Sequence, residues 1–478
     1  MWIIATILIY FSVLFAISRV TGRRATNETF FRANRKSPWY MVAFGMVGAS
    51  ISGVTFVSVP GMVTRIDMTY MQTCLGFILG YIVVAFLLLP LYYRQNLATI
   101  YSYLGQRLGP RAYKTGASFF LLSKLTGAVV RFYVVCMILQ RFVFDAWGIP
   151  FWLTVPFMVA LIWLYTRNGG IKTLVWTDTF QTVCLFGALV LIIYKVIGLL
   201  DMTIPEAVSA IAADGRSKIF VFDELVSKQY FWKQFFSGVF IVIVMTGLDQ
   251  DMMQKNLTCK SLKEAQKDMC TYGVAFVPAN LLFLSLGVLL VLLAQARGQA
   301  VELGDGLLPA FVQQSGLSVM IPFIIGLVAA SFSSADSALT SLTTSYCVDI
   351  RGRAGDEGLR RRAHLGISVL FVAMILLFRL MNSTSVIDAI YILCGYTYGP
   401  LLGLFAFGML TRRKPRDRYV PYICIASPLL CYGIDILTAQ TVGYQFGYEL
   451  LMLNGALTFL ALLINSRGIP SVESQTVS

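Results

Sequence analysis

An aspartate set among hydroxyls within an apolar run is the first place in this chain where chemistry is visible. Residues 321–350 read IPFIIGLVAASFSSADSALTSLTTSYCVDI, long enough to cross a bilayer, which takes about twenty apolar residues. Their middle carries Ser331, Ser333, Ser334, Asp336, Ser337, Thr340 and Ser341. At helical spacing Ala330, Ser333, Ser334 and Ser337 share one face. Small residues of this kind serve close helix packing, but an oxygen-lined face in a membrane also suits a small hard cation. Asp336 favours the cation, because an ionisable group in a span is expensive and usually functional. Arg131, in SKLTGAVVRFYVVCMIL, is a second such charge, at a cost of at least about 2.5–3.5 kcal/mol. A guanidinium is suited to bidentate recognition of a carboxylate. It points either to a carboxylate-bearing solute or to an intramembrane acid that it pairs with.

The elements that hold these residues are helices in lipid. Of 478 residues, 57% are hydrophobic and 13% charged, the composition of a polytopic membrane protein. The net charge of +14 sits in short loops between apolar spans, where the positive-inside rule explains it without nucleic acid. Nine scattered cysteines with no CxxC pair read as packing residues. The single histidine, His364, reads as a surface residue, so imidazole or zinc chemistry has no material.

Apolar spans fall near 1–18, 38–60, 70–93, 115–143, 150–166, 174–199, 229–248, 270–295, 320–349, 363–381, 386–410, 418–438 and 448–466, which predicts thirteen transmembrane helices in one domain. Counting alternate loops gives 27 Lys and Arg on one side against nine on the other, which places the N-terminus outside and the C-terminus in the cytoplasm. The connection from about 200 to 228 is outside and of a composition to carry a short amphipathic helix. Span 38–60 holds Gly45, Gly48, Ser50, Ser52, Gly53, Thr55, Ser58 and Pro60, a stretch that can unwind and present carbonyls. Span 229–248, ending in MTGLDQDMMQKNLTCK, takes the matching place five helices later. Broken helices at equivalent positions of two halves mark inverted-repeat secondary transporters.

On these segments the chain resembles the sodium/solute symporter family, with its inverted five-plus-five core of the LeuT type. The resemblance rests on residues 168–181 (NGGIKTLVWTDTFQ), 247–261 (GLDQDMMQKNLTCKS) and 329–341 (AASFSSADSALTS), with weaker support from 96–111 and 396–405. It implies an extra helix at 1–18, repeats at 38–199 and 229–410, and two more helices at 418–466. It also implies a first sodium site from the carbonyls of Gly48, Ile51 and Ala330 and the hydroxyls of Ser333 and Ser334. Some relatives, sialic acid transporters among them, have a second sodium site, which here would use Asp178, Ser334, Asp336 and Ser337. Asp336 stands where those relatives carry a hydroxyl, so the match departs from their pattern.

The family's solute site would fall on Ser50, Ser52 and Thr55, with Gln72 and Arg131. Sugar-transporting relatives carry amide and acidic groups in the first core helix, whereas relatives that carry sialic acid resemble this chain in their Ser/Thr-rich first helix and an arginine in the helix of Arg131. The expectation is therefore sodium-coupled symport of a small, anionic solute such as sialic acid. A neutral sugar, another organic anion and proton coupling stay open. Lys124 reads as a snorkelling or paired lysine. An enzyme lacks a nucleophile–base pair or metal motif, a sensor lacks an output domain, and no protein partner is called for.

Overall fold

The computed structural model describes residues 2–467 apart from 24–25, 96, 98, 168, 224, 226, 382–385 and 445. The polar tail and positions 96, 98 and 168 of the family segments lie outside the described residues. The described chain is helical except for two-residue strands at Lys414–Pro415 and Ser466–Arg467, paired antiparallel. Among the described residues eight helices are long and apolar enough to cross a membrane, or nine if one bent pair counts as a span.

The first half contains α1 (Trp2–Thr21), α2 (Trp39–Ser50), α3 (Gly53–Ile66), α4 (Tyr70–Val83), α5 (Pro110–Leu139), α6 (Phe151–Thr166) and α7 (Ile171–Leu199). The long connection after α7 carries α8 (Ile204–Ala213), the expected short helix. Its start is capped by Glu206, which accepts from the Thr203 amide at 2.7 Å and hydroxyl at 2.8 Å. Those two donors hold the Glu206 carboxyl below its usual range. The second half contains α9 (Phe231–Val242), α10 (Gln250–Asn256), α11 (Leu262–Ala296), α12 (Leu317–Ser345), α13 (Glu357–Met381) and α14 (Val386–Leu410). Helices α15 (Val420–Thr441) and α16 (Leu450–Ile464) follow.

Two interruptions organise the bundle. Between α2 and α3, Ile51 leaves helical geometry (φ −81°, ψ 86°), and Ser52 restarts the helix by accepting from the Thr55 amide at 3.5 Å. Beyond α9, a wide turn at Ile243–Gly247 ends the helix, and α10 departs at 69°. All seven residues of α10 are buried. The apolar run predicts a span that ends at 248, because the polar residues that follow read as a loop. That reading puts Lys255 among the cytoplasmic loop charges; the structure instead buries it. His364 is also buried, not a surface residue, with Thr166 and Thr343 hydroxyls 3.0 Å from its two ring nitrogens. Those two hydroxyls give both nitrogens a partner away from water.

Glycines set the closest helix approaches. A Cβ at Gly76 of α4 would lie 2.0 Å from the Phe235 carbonyl oxygen of α9, and one at Gly238 would lie 2.2 Å from that of Thr73. Small residues let membrane helices pack backbone to backbone, and a carbonyl cannot swing aside as a side chain can. Gly76→Leu should therefore cost more than about 3 kcal/mol, above the usual overpacking range. Gly187→Ala, where nothing lies within 4 Å, should be neutral or mildly stabilising. Melting temperatures of the two purified variants check the pair.

Candidate functional site

Helix breaks at membrane depth expose backbone groups that lipid cannot satisfy, and here side chains from distant helices take them up. Ser334 of α12 donates its hydroxyl to the Ala49 carbonyl at 2.9 Å and to that of Ala330 at 3.1 Å. At the second break, the Gly247 carbonyl accepts from Tyr92 and that of Leu248 from Tyr101, each at 2.8 Å. Asp249 caps α10 through the Asp251 amide at 2.8 Å. Each break is thus braced by side chains from other helices.

Between the breaks lies a cavity of about 130 Å³. Ser50, Ser52 and Thr55 enter it from the first break, and Arg131 and Lys124 from α5. Thr246, Asp249 and Asp251 enter from the second break. Tyr70, Phe77 and Tyr81 of α4 and Tyr272 of α11 form an aromatic side, with Tyr398 of α14 opposite. Ser50 and Tyr272 share a short hydrogen bond through their hydroxyls.

The charges sort into pairs. Lys124 lies 2.6 Å from Asp251 and 3.2 Å from Asp249, and Tyr398 donates to Asp249 at 2.5 Å. Lys124 is a paired lysine, not a snorkelling one. Arg131 is half-buried at the cavity, and among the described residues its guanidinium makes no hydrogen bond or ion pair. Among the described side chains, Asp178, Asp249 and Asp251 are already engaged with lysines.

Four of the five expected solute residues, Ser50, Ser52, Thr55 and Arg131, line this cavity. Gln72 does not. Its amide donates to the Gln229 carbonyl at 2.9 Å and accepts from the Val221 amide at 3.1 Å. Near the start of α4 it meets the connection between α8 and α9, and both ends of its side chain are used there.

Of the expected first sodium set, Ser334 meets the broken strand at Ala49, whose neighbours are Gly48 and Ser50, and shares its hydroxyl with the Ala330 carbonyl of its own helix. Ile51 is fully buried at the break. Gly48 is pressed against α7, where a Cβ would lie 1.9 Å from Thr182 Oγ1. Ser333 turns away and donates to Asp178 Oδ1 at 2.7 Å. A hydroxyl that donates its proton still offers lone pairs to a cation, so Ser334 can ligate without losing its carbonyl contact.

The expected second set looks different. Asp178 Oδ2 lies 2.8 Å from the Lys255 ammonium, and the two side chains are 1% and 2% exposed. Asp336 accepts from the Tyr165 phenol at 2.6 Å and from Ser337 at 3.4 Å. Asp178 is therefore not an open cation ligand: a tethered cation already sits on it. Among the described residues no cluster of three or more carboxylate, imidazole or thiol groups could hold a metal ion. The sequence offers one signal for Lys255, its place in GLDQDMMQK, but no sign that this segment folds back into the bundle.

The profile of the Sodium:solute symporter family matches residues 30–416. The chain belongs to that family. As a member it is a transporter, a sodium-coupled symporter of a small organic solute, and sodium is its coupling ion. It is 24% identical over 448 residues to the sodium/sialic acid symporter SiaT of Proteus mirabilis (strain HI4320), covering 87% of this chain and 86% of that one. With the sodium/sialic acid symporter NanT of Aliivibrio fischeri (strain ATCC 700601 / ES114) it shares 25% over 427 residues, 84% and 82% of the two chains. A solved structure of a Na+-coupled sialic acid symporter in a substrate-bound outward-open state has a TM-score of 0.83 at 19% identity, covering 98% of this chain and 99% of that one. That likeness shows a shared fold.

In this symporter the Asp178–Lys255 pair is a stability element that removal of either partner should expose. Breaking a buried pair on one side costs about 3–5 kcal/mol. Lys255→Met alone should lower the melting temperature sharply, and Asp178→Asn added to it should restore most of the loss. Melting curves of the two single variants and the double variant test the coupling.

Proposed function

We propose that this symporter carries a carboxylate-bearing sugar of the sialic acid class, driven by sodium bound where α2 breaks against α12. The observation that carries the proposal is Arg131, a guanidinium with no protein partner among the described residues, facing a cavity with Ser50, Ser52 and Thr55. A solute carboxylate would complete it with paired hydrogen bonds. Around it the cavity offers what the rest of an acidic sugar needs: Asp249 and Asp251 as acceptors for hydroxyls, Thr246 as donor or acceptor, and aromatic faces for the apolar side of the ring. The sialic acid symporters of Proteus and Aliivibrio agree with this solute.

The sodium site we propose comprises the carbonyls of Gly48, Ile51 and Ala330 with the hydroxyls of Ser333 and Ser334. No carboxylate belongs to that set, which keeps affinity modest and release easy. Because Lys255 neutralises Asp178, we propose one sodium ion per cycle, with Asp178, Asp336 and Ser337 forming a structural cluster behind the site. One sodium ion moving with one carboxylate carries no net charge, so the sodium concentration gradient alone drives the cycle, and a tenfold gradient supplies about 1.4 kcal/mol, roughly tenfold accumulation. The proposed architecture is thirteen crossings, the shorter helices α1, α2, α6 and α16 included, in an inverted five-plus-five core. The N-terminus faces outward and the C-terminus inward, as the loop charges support.

Proteoliposome uptake tests both ions. Uptake of N-acetylneuraminate should require sodium, with a Hill coefficient near one; equal uptake in choline would refute the proposal. Ser334→Ala should raise the sodium concentration for half-activation about two- to tenfold, the weight of one lost ligand oxygen. Arg131→Ala should weaken solute affinity about ten- to hundredfold, the range for a hydrogen bond to a charged group, with sodium activation unchanged. Full affinity for the acidic solute in that variant would move the solute site elsewhere.

A further inference from the structure

A second, larger cavity of about 620 Å³, which shares no lining residue with the solute site, lies between α5, α12 and α13. Its walls are aliphatic: Leu121 and Leu125 of α5, Leu342 of α12, and Leu359, Ile367 and Leu370 of α13. At one end stand three arginines, Arg351 and Arg353 from the connection after α12 and Arg362 from the first turns of α13. A single carboxylate, Asp356, shares that end, and its Oδ1 is occupied in capping α13 through the Leu359 amide at 2.8 Å. Arg362 Nε donates to the Gly358 carbonyl at 3.3 Å. Arg351 and Arg353 are exposed, and their side chains make no hydrogen bond or ion pair among the described residues.

The dimensions decide what fits. Along α13 the lining runs from Leu359 to Leu370, and eleven residues at 1.5 Å each cover about 16 Å. That is about half of the roughly 30 Å hydrocarbon thickness, one leaflet. Gly366 lies midway, with nothing within 4 Å of where its Cβ would stand. The groove keeps room for a chain at that level. Its outer rim is greasy, with Leu122, Leu365 and Val369 all exposed. A soluble anion would use the arginines and leave this apolar length unfilled; a neutral lipid would fill the length and leave the arginines unanswered.

We propose that this groove is a binding site for one anionic glycerophospholipid, its acyl chain laid along α13 and its phosphate held by Arg351, Arg353 and Arg362. The site does not depend on which solute the symporter carries. Basic residues at a membrane surface each contribute about fivefold to the binding of an anionic headgroup. The three together should favour phosphatidylglycerol over phosphatidylcholine by about a hundredfold.

Native mass spectrometry of the delipidated full chain, titrated with each lipid, reads that preference directly. Wild-type protein should retain phosphatidylglycerol against an excess of phosphatidylcholine and melt at a higher temperature in its presence. The Arg351→Gln/Arg353→Gln/Arg362→Gln variant should lose the selectivity, while Gly366→Leu should reduce retention of both lipids by filling the groove. These positions are exposed or face open space, so neither variant is expected to unfold, and the melting curve of each in phosphatidylcholine confirms it. Equal retention of the two lipids by wild type would overturn the proposal, and so would selectivity that survives in the triple variant. Displacement of the lipid by free glycerol phosphate at matching concentration would also overturn it, by showing a site for a soluble anion.

Discussion

Two helices that stop inside a membrane create a demand that the rest of this structure is arranged to meet. Each break frees amides and carbonyls, and hydrocarbon offers them nothing. The amides are answered locally, by Ser52 at the head of α3 and by Asp249 at the head of α10. The carbonyls are answered from afar, by Ser334 for Ala49, Tyr92 for Gly247 and Tyr101 for Leu248. Since each of these long-range donors comes from another part of the chain, satisfying the breaks also fixes how the helices stand around them. The cavity between the breaks follows from that arrangement.

Charge follows the same logic. Burying an ion is expensive unless an opposite one sits beside it. Helix α10, buried along its whole length, and the residue that caps it bring Asp249, Asp251 and Lys255 into the bundle. Lys124 of α5 answers the first two, and Asp178 of α7 answers the third. The short helix is thereby stapled to both sides of the bundle. With these cations spent on acids, Arg131 is left to face the cavity, and the preference for a negative solute that we propose for it rests on the pairing of residues that need never touch that solute.

Much of this is legible in the sequence, for physical reasons that also account for the misses. Every predicted apolar span falls on a helix, because spanning lipid forces a long apolar run. Ser334 and the strand around Ala49 are visible because hydroxyls and glycines weaken an apolar helix unless packing or a ligand uses them. Arg131 stands out because a lone guanidinium in lipid is costly. The errors share a cause as well. Polarity assigns Lys255 and His364 to the surface, yet each is buried beside partners far away in sequence: Asp178 for the lysine, two threonines for the histidine. Gln72 reads as a solute residue because an amide in a span invites a ligand; in the structure the connection between α8 and α9 claims it. Asp178 reads as an open carboxylate only while its ammonium is unseen. A single sequence marks a costly buried group clearly, but not what satisfies it.

The use of hydroxyls rather than carboxylates beside the first break has a physical justification that extends to how such a site can cycle. A carboxylate next to the Ala49 carbonyl would repel it and would need a permanent counter-ion, as Asp178 needs Lys255. Ser334 instead gives its one proton to the carbonyl and keeps its lone pairs. At the sodium site we propose there, the contact between α2 and α12 would not have to break when an ion arrives, nor form anew when it leaves. Binding can tighten the junction through extra oxygen ligands, and release returns it to a hydrogen-bonded state of similar geometry. An ion whose departure leaves no unpaired charge in the membrane can be given up at modest cost, which suits a coupling ion that must be released on every cycle.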